Sequence, residues 1–255
     1  MTEGDFSARD GVAVVLGASG GLGAAVAELL RARGSRVALT YRSRPGELNE
    51  LAAQHPERVA AYQLDLADAP AGERFASRVV ADFGAVHTVV YASGPHVPMT
   101  HLSRVSPAQA RTQLEQDAVA FLNVMLPLLP ALRACSGSVV AITTAATSRF
   151  PVRDSLSAIP KAAVEAAVRA IAAEEGRFGV RANCVGPGML TDGMAERLIS
   201  AGDLDEHALQ VARANIPLRR FGVAADIAEA ACFLASDRAG FITGQKLDVD
   251  GGYGV

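Results

Sequence analysis

Residues 12–34 read VAVVL-GASGGLG-AAVAELLRARG and join three patterns in a fixed order. The five apolar residues predict a buried strand, the glycine-rich run a tight turn, and the Ala/Leu/Glu/Arg periodicity a helix. A backbone bared by glycine lets a pyrophosphate approach the free N–H groups at the helix N-terminus. We therefore predict a dinucleotide site; the alternative is a turn without a ligand. Its cofactor-binding residues are Gly17, Ser19, Gly20, Gly21, Leu22 and Gly23.

The end of the second predicted strand indicates which dinucleotide binds. Tyr41 is followed by Arg42, Ser43 and Arg44, where a site for NAD usually has an acidic residue that binds the ribose hydroxyls. A guanidinium pairs readily with phosphate, and Arg42, helped by Ser43 or Arg44, could hold the 2′-phosphate of NADP. The expected cofactor is therefore NADP, reduced as NADPH. The alternative is a solvated pair of arginines at a strand end.

Seven apolar runs alternate with helical patterns along the whole chain. They lie at residues 12–16, 37–40, 59–64, 86–91, 138–143, 181–185 and 246–249. Continuous Val, Ile, Leu and Ala runs are typical of parallel strands that are buried on both faces. The predicted fold class is α/β, a single-domain Rossmann-type doubly wound parallel sheet over residues 1–255. The polar helical pattern at about 192–215 follows a strand end, where such sheets bind ligands, and is interpreted as a substrate lid.

The composition favours small-molecule chemistry. The 255 residues are 50% hydrophobic, carry a net charge of -3 and form no basic stripe, so we expect neither a nucleic-acid nor a membrane partner. The longest apolar run, about 118–132, is interrupted by Asn and Pro and predicts a buried helix.

The first ten residues lack the apolar segment of a signal peptide, which predicts a cytoplasmic protein. Three widely separated cysteines, interpreted as small core residues, indicate neither a disulfide nor a metal site.

Lysine is rare in this chain. Of the 24 Lys and Arg residues, only Lys161 and Lys246 are lysines. Lys161 lies at the start of a helical pattern over 161–175, beside the expected cleft. An ammonium is compact and can bind ribose hydroxyls or polarise a neighbour, which a planar guanidinium does differently. We therefore expect Lys161 to serve both the cofactor and the catalytic centre; the alternative is chance retention on a helix face.

Three segments resemble the short-chain dehydrogenase/reductase family, and the resemblance covers nearly the whole chain. They are LGASGGLG at 16–23, KAAVEAAVRAIAAEEGRFGVRANCVGPG at 161–188, and PLRRFGVAADIAEAACFLASDRAGFITGQKLDVDGG at 217–252. The resemblance implies a nicotinamide dinucleotide, a small-molecule substrate, and a homotetramer that pairs the helices around 110–130 and 160–175. The further cofactor contacts that it implies are Asp65, Leu66, Ala92, Ser93, Gly94, Pro187 and Gly188.

The family's active centre holds an Asn, a Ser, a Tyr and a Lys, and this sequence departs from it. The resemblance places Asp117, Thr144, Ser157 and Lys161 at these four positions, as candidate catalytic residues. Ser157 lies four residues before Lys161 and thirteen after Thr144, which is the family's spacing, so the phenol that usually donates the proton is absent. Thr144 still offers a hydroxyl. Asp117 is either a partner of Lys161, directly or through water, or a carboxylate at a subunit interface.

The missing phenol changes the expected reaction. Losing a positioned general acid costs C=O reduction about 10²- to 10⁴-fold. Hydride addition to a C=C bond conjugated to a thioester gives an enolate, which hydrogen-bond donors alone can stabilise. The SxxxK pattern formed by Ser157 and Lys161 resembles that of the 2,4-dienoyl-CoA reductases, a branch of the same family. The enoyl-carrier-protein reductases, in contrast, have a Tyr at the position of Asp154, seven residues before the Lys.

Three functions follow from these residues. The leading expectation is NADPH-dependent reduction of an enoyl or dienoyl thioester carried by CoA or a carrier protein. The second is a ketoreductase in which Tyr91, at a strand end, or His96, in the next loop, replaces the missing acid. The third is a homologue that binds the cofactor without hydride transfer.

Overall fold

Seven parallel strands form the central sheet in a computed structural model that describes residues 4–95, 97–191 and 206–255. Their order across the sheet is β3-β2-β1-β4-β5-β6-β7. The predicted α/β Rossmann-type fold is confirmed, and each of the seven apolar runs forms a strand. The strands are β1 (Val12–Leu16), β2 (Val37–Tyr41), β3 (Val59–Gln63), β4 (Val86–Tyr91), β5 (Ser138–Ile142), β6 (Arg181–Pro187) and β7 (Lys246–Val249).

Helices cover both faces of the sheet, as the continuous apolar strands require. The helices are α1 (Gly21–Ala32), α2 (Leu48–Gln54), α3 (Ala69–Phe83), α4 (Pro107–Leu114), α5 (Ala120–Ala134), α6 (Ser155–Glu175), α7 (Glu206–Ala214) and α8 (Ala224–Ala235). Alternate residues of β1 point to opposite sides: Val14 packs with α3, α5 and α6, whereas Val15 packs with α1 and α8. The two faces of the sheet thus each have a largely aliphatic core, in which the helices pack directly against the strands.

The chain reverses its direction of winding between β1 and β4. These two strands pair directly, with Leu16 opposite Tyr91, although they are separated by β2 and β3 in the sequence. Ligands of open α/β sheets bind in the crevice beyond the carboxyl ends of such strands. The glycine turn after β1 and residues 92–94 after β4 lie at this crevice.

Helices α4 and α5 run on as one 28-residue helix, Pro107–Ala134, through a π-helical turn at Glu115–Val119. By length and composition alone this helix could cross a membrane, a test that core helices of globular proteins also pass. Phe121, Val124 and Leu128 of α5 are fully buried in the core. The apolar run at 118–132 therefore packs as the expected core helix.

Helix α6 starts six residues before the predicted 161, because Pro160 lies in its second turn rather than at its first position. The interpretation of the cysteines as core residues holds for Cys184 and Cys232, while Cys135 is only half-buried. His96 and residues 192–205, most of the predicted lid, lie outside the described residues. The rest of the lid prediction contains α7.

Candidate active site

The glycine turn is fixed by its contacts with β2 and β4. The Gly17 N–H donates to Oγ1 of Thr40 at 3.0 Å, and the Ala18 N–H donates to the Thr40 carbonyl at 2.9 Å. Gly17 has φ of 84°, and a Cβ there would lie 2.9 Å from Cα of Ser93. A Cβ at Gly23 would lie 2.3 Å from the Gly17 carbonyl oxygen. Glycine is thus required at 17 and 23 by the packing of the turn itself.

Gly21 differs from these two glycines. A Cβ on Gly21, the first residue of α1, would meet no atom within 4 Å. The N-cap, Gly20, has no side chain, and no side chain caps the first turn of the helix. The N–H groups of that turn therefore have no side-chain partner, and the space beside Gly21 is open. This bare, uncapped helix N-terminus fits the pyrophosphate of a dinucleotide.

The ends of β2 and β3 carry the residues expected at the adenosine half of the cofactor. Arg42 and Ser43 are exposed directly after β2, and the Arg42 carbonyl accepts a hydrogen bond from Nε2 of Gln63. Asp65 is exposed after β3, and its carboxylate accepts from the Ala67 N–H at 3.0 Å. The guanidinium of Arg42 has no hydrogen bond or ion pair with any described residue, so it is available to an anion.

Leu66, the buried neighbour of Asp65, is held by a hydrogen bond from α5. Leu66 is 9% exposed, and its carbonyl accepts a hydrogen bond from Nδ2 of Asn123 on α5 at 3.0 Å. This bond fixes the loop after β3 against the core. The predicted cofactor contacts at Asp65 and Leu66 therefore lie on a backbone that is bonded to α5.

Lys161 joins the end of β4 to the long helix. Its Nζ donates to the Ser93 carbonyl at 3.1 Å and to Oδ1 of Asp117 at 3.0 Å. Lys161 is 9% exposed and Asp117 is 3% exposed, so the ion pair is buried. Of the two sequence interpretations of Asp117, the structure shows the direct partner of Lys161. The hydrogen bond to Ser93 thus joins Lys161 to the segment 92–94 that follows β4 at the crevice.

Tyr91 lies within the core beneath this ion pair. It is fully buried, and its hydroxyl donates to the Asp117 carbonyl at 3.0 Å and approaches Oδ1 of the same residue at 3.3 Å. Burial, followed by the negative charge and hydrogen bond of Asp117, raises the pKa of this phenol well above its usual 10. Tyr91 therefore anchors Asp117 and is unsuited to donate a proton to a substrate.

Thr144 and Ser157 are not joined to Lys161 or to each other by hydrogen bonds. Thr144 follows β5, and its Oγ1 accepts from the Ala146 N–H at 3.1 Å, which leaves its own hydrogen free to donate. Ser157 is half-buried on α6, and its hydroxyl has no partner among the described residues. The predicted tetrad thus divides into a closed ion pair and two hydroxyls with donating capacity.

Pro187 and Gly188 close the site at the end of β6. The Gly188 N–H donates to the Val249 carbonyl at 3.0 Å, and a Cβ on Gly188 would lie 2.6 Å from Cα of Asp250. Glycine is therefore needed for β6 to leave the sheet beside β7. The predicted cofactor contacts at Pro187 and Gly188 therefore lie on a backbone that β7 holds in place.

Sequence reasoning gave the second lysine, Lys246, no role. Nζ of Lys246 lies 2.9 Å from Oδ1 of Asp248 and 3.5 Å from Oε1 of Glu165, and it donates to Oγ of Ser148 at 3.0 Å. These contacts tie β7 to α6 and to the turn after Thr144. The rarity of lysine, which singled out Lys161, would also have found Lys246.

Sequence reasoning gave Asp154 no role. The residue stands directly before α6 and is half-buried, and burial raises the pKa of its carboxyl to about 6. Its position seven residues before Lys161 was the available signal. Its environment depends on the fold and could not be read from the sequence.

Comparison with known proteins gives consistent matches over nearly the full chain. Residues 17–254 match the family model described as enoyl-(acyl carrier protein) reductase. Nodulation protein G of Rhizobium sp. (strain N33) is 30% identical over 241 residues, which cover 94% of this chain and 95% of that protein. The 3-oxoacyl-[acyl-carrier-protein] reductase of Staphylococcus epidermidis is 29% identical over 245 residues, covering 94% of this chain and 97% of that protein.

The solved structures agree with the sequence matches. A short-chain dehydrogenase/reductase from Brucella melitensis, described as glucose/ribitol dehydrogenase, has a TM-score of 0.87 and 27% identity; the match covers 97% of this chain and 98% of that chain. The names of these similar proteins point to different substrates. The residues matched by the family model include the glycine turn, Asp117, Lys161 and α6. The substrate has to be argued from the side chains of the site.

Proposed function

The chain belongs to the short-chain dehydrogenase/reductase family of oxidoreductases, which use a nicotinamide cofactor, and we propose that it is an NADPH-dependent reductase of a C=C bond conjugated to a thioester. The observation that carries this proposal is the pair of free hydroxyls, Ser157 and Thr144, at a centre that has no phenol to donate a proton. Such donors suit an enolate better than an alkoxide.

The choice of NADPH over NADH rests on the end of β2. Arg42 is exposed there with a free guanidinium, and Ser43 follows it, while no acidic residue is present to bind the ribose hydroxyls. The first turn of α1, beginning at Gly21, would hold the pyrophosphate. When bound, the cofactor supplies a hydride.

The remaining side chains have distinct proposed roles. Lys161 is held in one orientation by Asp117 and Ser93, so its ammonium can bind ribose hydroxyls without losing side-chain freedom on binding. The hydroxyls of Thr144 and Ser157 donate to the thioester oxygen as negative charge develops on it. Thr144 is already held by the Ala146 N–H, so its oxygen needs little reorganisation when the charge appears.

A paired substrate screen tests this function. NADPH oxidation is followed with enoyl and 3-oxoacyl thioesters of equal chain length, each carried by CoA and by a carrier protein. We expect oxidation with the enoyl substrate and little with the 3-oxoacyl substrate. Turnover of the 3-oxoacyl thioester alone would overturn the proposal. Stoichiometric NADPH binding without any oxidation would instead favour the non-catalytic homologue.

Ketone reduction is the second candidate, and one observation favours it. The S. epidermidis relative at 29% identity is named as a 3-oxoacyl-[acyl-carrier-protein] reductase, so it acts on a ketone in a carrier-protein thioester. This reaction needs an acid in place of the phenol. Tyr91 does not provide it, because its hydroxyl already donates to the Asp117 carbonyl. His96→Ala distinguishes the cases, because a sharp loss of ketone reduction would identify His96 as the acid.

We further propose one NAD(P)-binding domain over residues 1–255, located in the cytoplasm and assembled as a homotetramer through the long helix and α6. Apolar side chains on these helices are exposed in the single chain: Val119, Leu122, Leu126 and Ile159. Light scattering after gel filtration should give the mass of four chains, and Leu126→Glu should lower it. Leu102→Glu, a change of an exposed leucine outside these helices, is the matched control.

A further inference from the structure

We propose that Asp154 is the proton source of the active centre and that it passes its proton to the substrate through the hydroxyl of Ser157. This inference rests on the proposed reductase function and supplies the acid that the centre otherwise lacks. Three features of the fold carry it: the face of α6 on which the residues lie, the turn before Asp154, and the absence of a partner for its carboxylate among the described residues.

Asp154, Ser157 and Lys161 lie on one face of α6. Asp154 directly precedes the helix, and seven residues correspond to about two helical turns, which brings residues 154 and 161 into line. Ser157, three residues after Asp154, lies about one turn along the same face. Lys161 is directed into the active centre, since it contacts Ser93 and Asp117. Asp154 therefore stands at the end of the helix face that lines the site.

The turn before Asp154 is held in place by hydrogen bonds of Arg153. Arg153 has φ of 75°, which is uncommon for a residue other than glycine. Its Nε and Nη2 donate to the Met99 carbonyl at 3.1 and 2.7 Å, and its own carbonyl accepts from the Thr100 N–H at 3.0 Å. The nearest cation in the sequence is thus bonded to a backbone carbonyl and leaves the Asp154 carboxylate unpaired.

The carboxylate of Asp154 is half-buried without compensation. It does not cap the N–H groups of α6, and no described residue gives it a hydrogen bond or an ion pair. An unpaired carboxylate in such a place costs free energy, so it requires an explanation.

The charges beside Asp154 do not set its protonation. His101, Arg104 and Arg153 line a pocket next to the turn that precedes Asp154, and Asp117 and Lys161 form the ion pair of the active centre. Burial is the sole cause that raises the pKa of Asp154, to about 6. A general acid works best when its pKa is close to the working pH, and an ordinary aspartate would already be ionised there.

The proposed step balances in atoms and charge. The hydride adds to the β carbon of the enoyl thioester and breaks the C=C π bond, whose electron pair becomes an enolate. The Ser157 hydroxyl donates to the thioester oxygen while the enolate forms. It then gives its proton to the α carbon as it takes the proton of the Asp154 carboxyl, through a hydrogen bond that forms in the reacting complex. Asp154 is left as a carboxylate and regains a proton from solvent on its exposed side. The substrate gains one hydride and one proton, and the cofactor is oxidised.

The first test needs neither cofactor nor turnover. The side-chain carboxyl carbons are followed by NMR in protein with ¹³C-labelled aspartate over a pH series, and Asp154→Asn identifies the resonance of Asp154. We expect this carboxyl to titrate near pH 6. Titration close to the value of an ordinary aspartate, about 3.9, would overturn the inference whatever reaction the protein catalyses.

The second test is the pH profile of kcat with the substrate that the wild type reduces. We expect kcat to fall as pH rises through about 6 in the wild type and in Asp154→Glu. Asp154→Asn should lose about 10²-fold at low pH and show no such fall. Glu174→Gln, at an exposed position of α6, is the control. An unchanged profile in Asp154→Asn would refute the role of Asp154 alone, whereas reduction of ketones instead of enoyl thioesters would refute only the proposed substrate.

Discussion

Lys161 connects three parts of the molecule through one ammonium group. It extends from α6, donates to the Ser93 carbonyl after β4, and pairs with Asp117 in the long helix. The pair is buried, so each charge depends on the other for compensation. The same residue that is expected to bind the ribose therefore also contributes to the stability of the fold.

Removing this ammonium should destabilise the protein measurably. In Lys161→Ala the carboxylate of Asp117 stays buried without its partner, so we expect the free energy of unfolding to fall by about 3 kcal/mol. Urea denaturation monitored by circular dichroism gives the value. Arg74→Ala breaks the exposed ion pair with Asp68 and should cost less than about 1 kcal/mol. Equal losses in the two variants would contradict the dependence on burial.

Arg42 is expected to discriminate between the two dinucleotides. In Arg42→Ala the 2′-phosphate loses a charge-assisted hydrogen bond, a type that contributes about 1.5–3 kcal/mol, so the Kd for NADPH should rise about 10- to 100-fold. The Kd for NADH, which has no 2′-phosphate, should stay nearly constant. Isothermal titration calorimetry measures both. Arg111→Ala removes another exposed arginine as a control, and an equal loss for both cofactors in Arg42→Ala would exclude the assignment.

At the scale of single elements, the glycine turn separates two requirements that look alike in the sequence. Position 17 requires glycine because its φ is positive and Ser93 lies close to it. At Gly21, in contrast, the space that a side chain would fill is open. The first glycine is needed for the fold of the turn. The second leaves room for a ligand at the N-terminus of α1.

A pair of alanine substitutions tests this difference. Gly17→Ala should lower the free energy of unfolding by at least about 1 kcal/mol, because a β carbon is unfavourable at positive φ. Gly21→Ala should change it by less than about 0.5 kcal/mol and yet weaken cofactor binding, because its methyl group occupies the space near the pyrophosphate. Thermal melts and NADPH titrations measure the two effects. Normal cofactor binding by Gly21→Ala would show that the pyrophosphate lies elsewhere.

The strands were predictable because their burial on both faces gives continuous apolar runs, and β1 and β4 have the predicted bounds. The π-helical turn at Glu115–Val119 was not, because its residues fit an ordinary helix. That turn includes Asp117, which bonds to Tyr91 and Lys161, partners 26 and 44 residues away in the sequence. Such long-range contacts decide which candidate residues come together in the site. They cannot be predicted from local sequence patterns.

For the whole molecule, His87 makes stability depend on pH. It is 1% exposed at the start of β4, its ring stacks on Phe6, and its nitrogens lie within hydrogen-bond distance of Ser35 and Thr88. Burial, followed by the charges of Arg9 and Arg36, lowers the pKa of this imidazole from 6.5 to about 4. The folded protein therefore holds His87 neutral under conditions in which an unfolded chain would protonate it.

The sign of the pH effect follows from these values. Between pH 6.5 and 4 the unfolded chain binds the proton and the folded protein does not, so stability falls as the pH falls through this window. From pH 7 to 4.5 we expect His87 to contribute a loss of about 2 kcal/mol. His87→Gln should reduce the pH dependence by that amount in urea titrations at the two pH values. The same dependence in both proteins would contradict the prediction.

The scarcity and burial of lysine have a practical consequence. Both lysines of the chain are enclosed by polar partners, Lys161 by Ser93 and Asp117, and Lys246 by Glu165, Ser148 and Asp248. Reagents that acylate primary amines therefore find no freely exposed lysine side chain in the folded protein. The rate at which such a reagent acylates Lys161 would report how often the crevice opens, without any substrate.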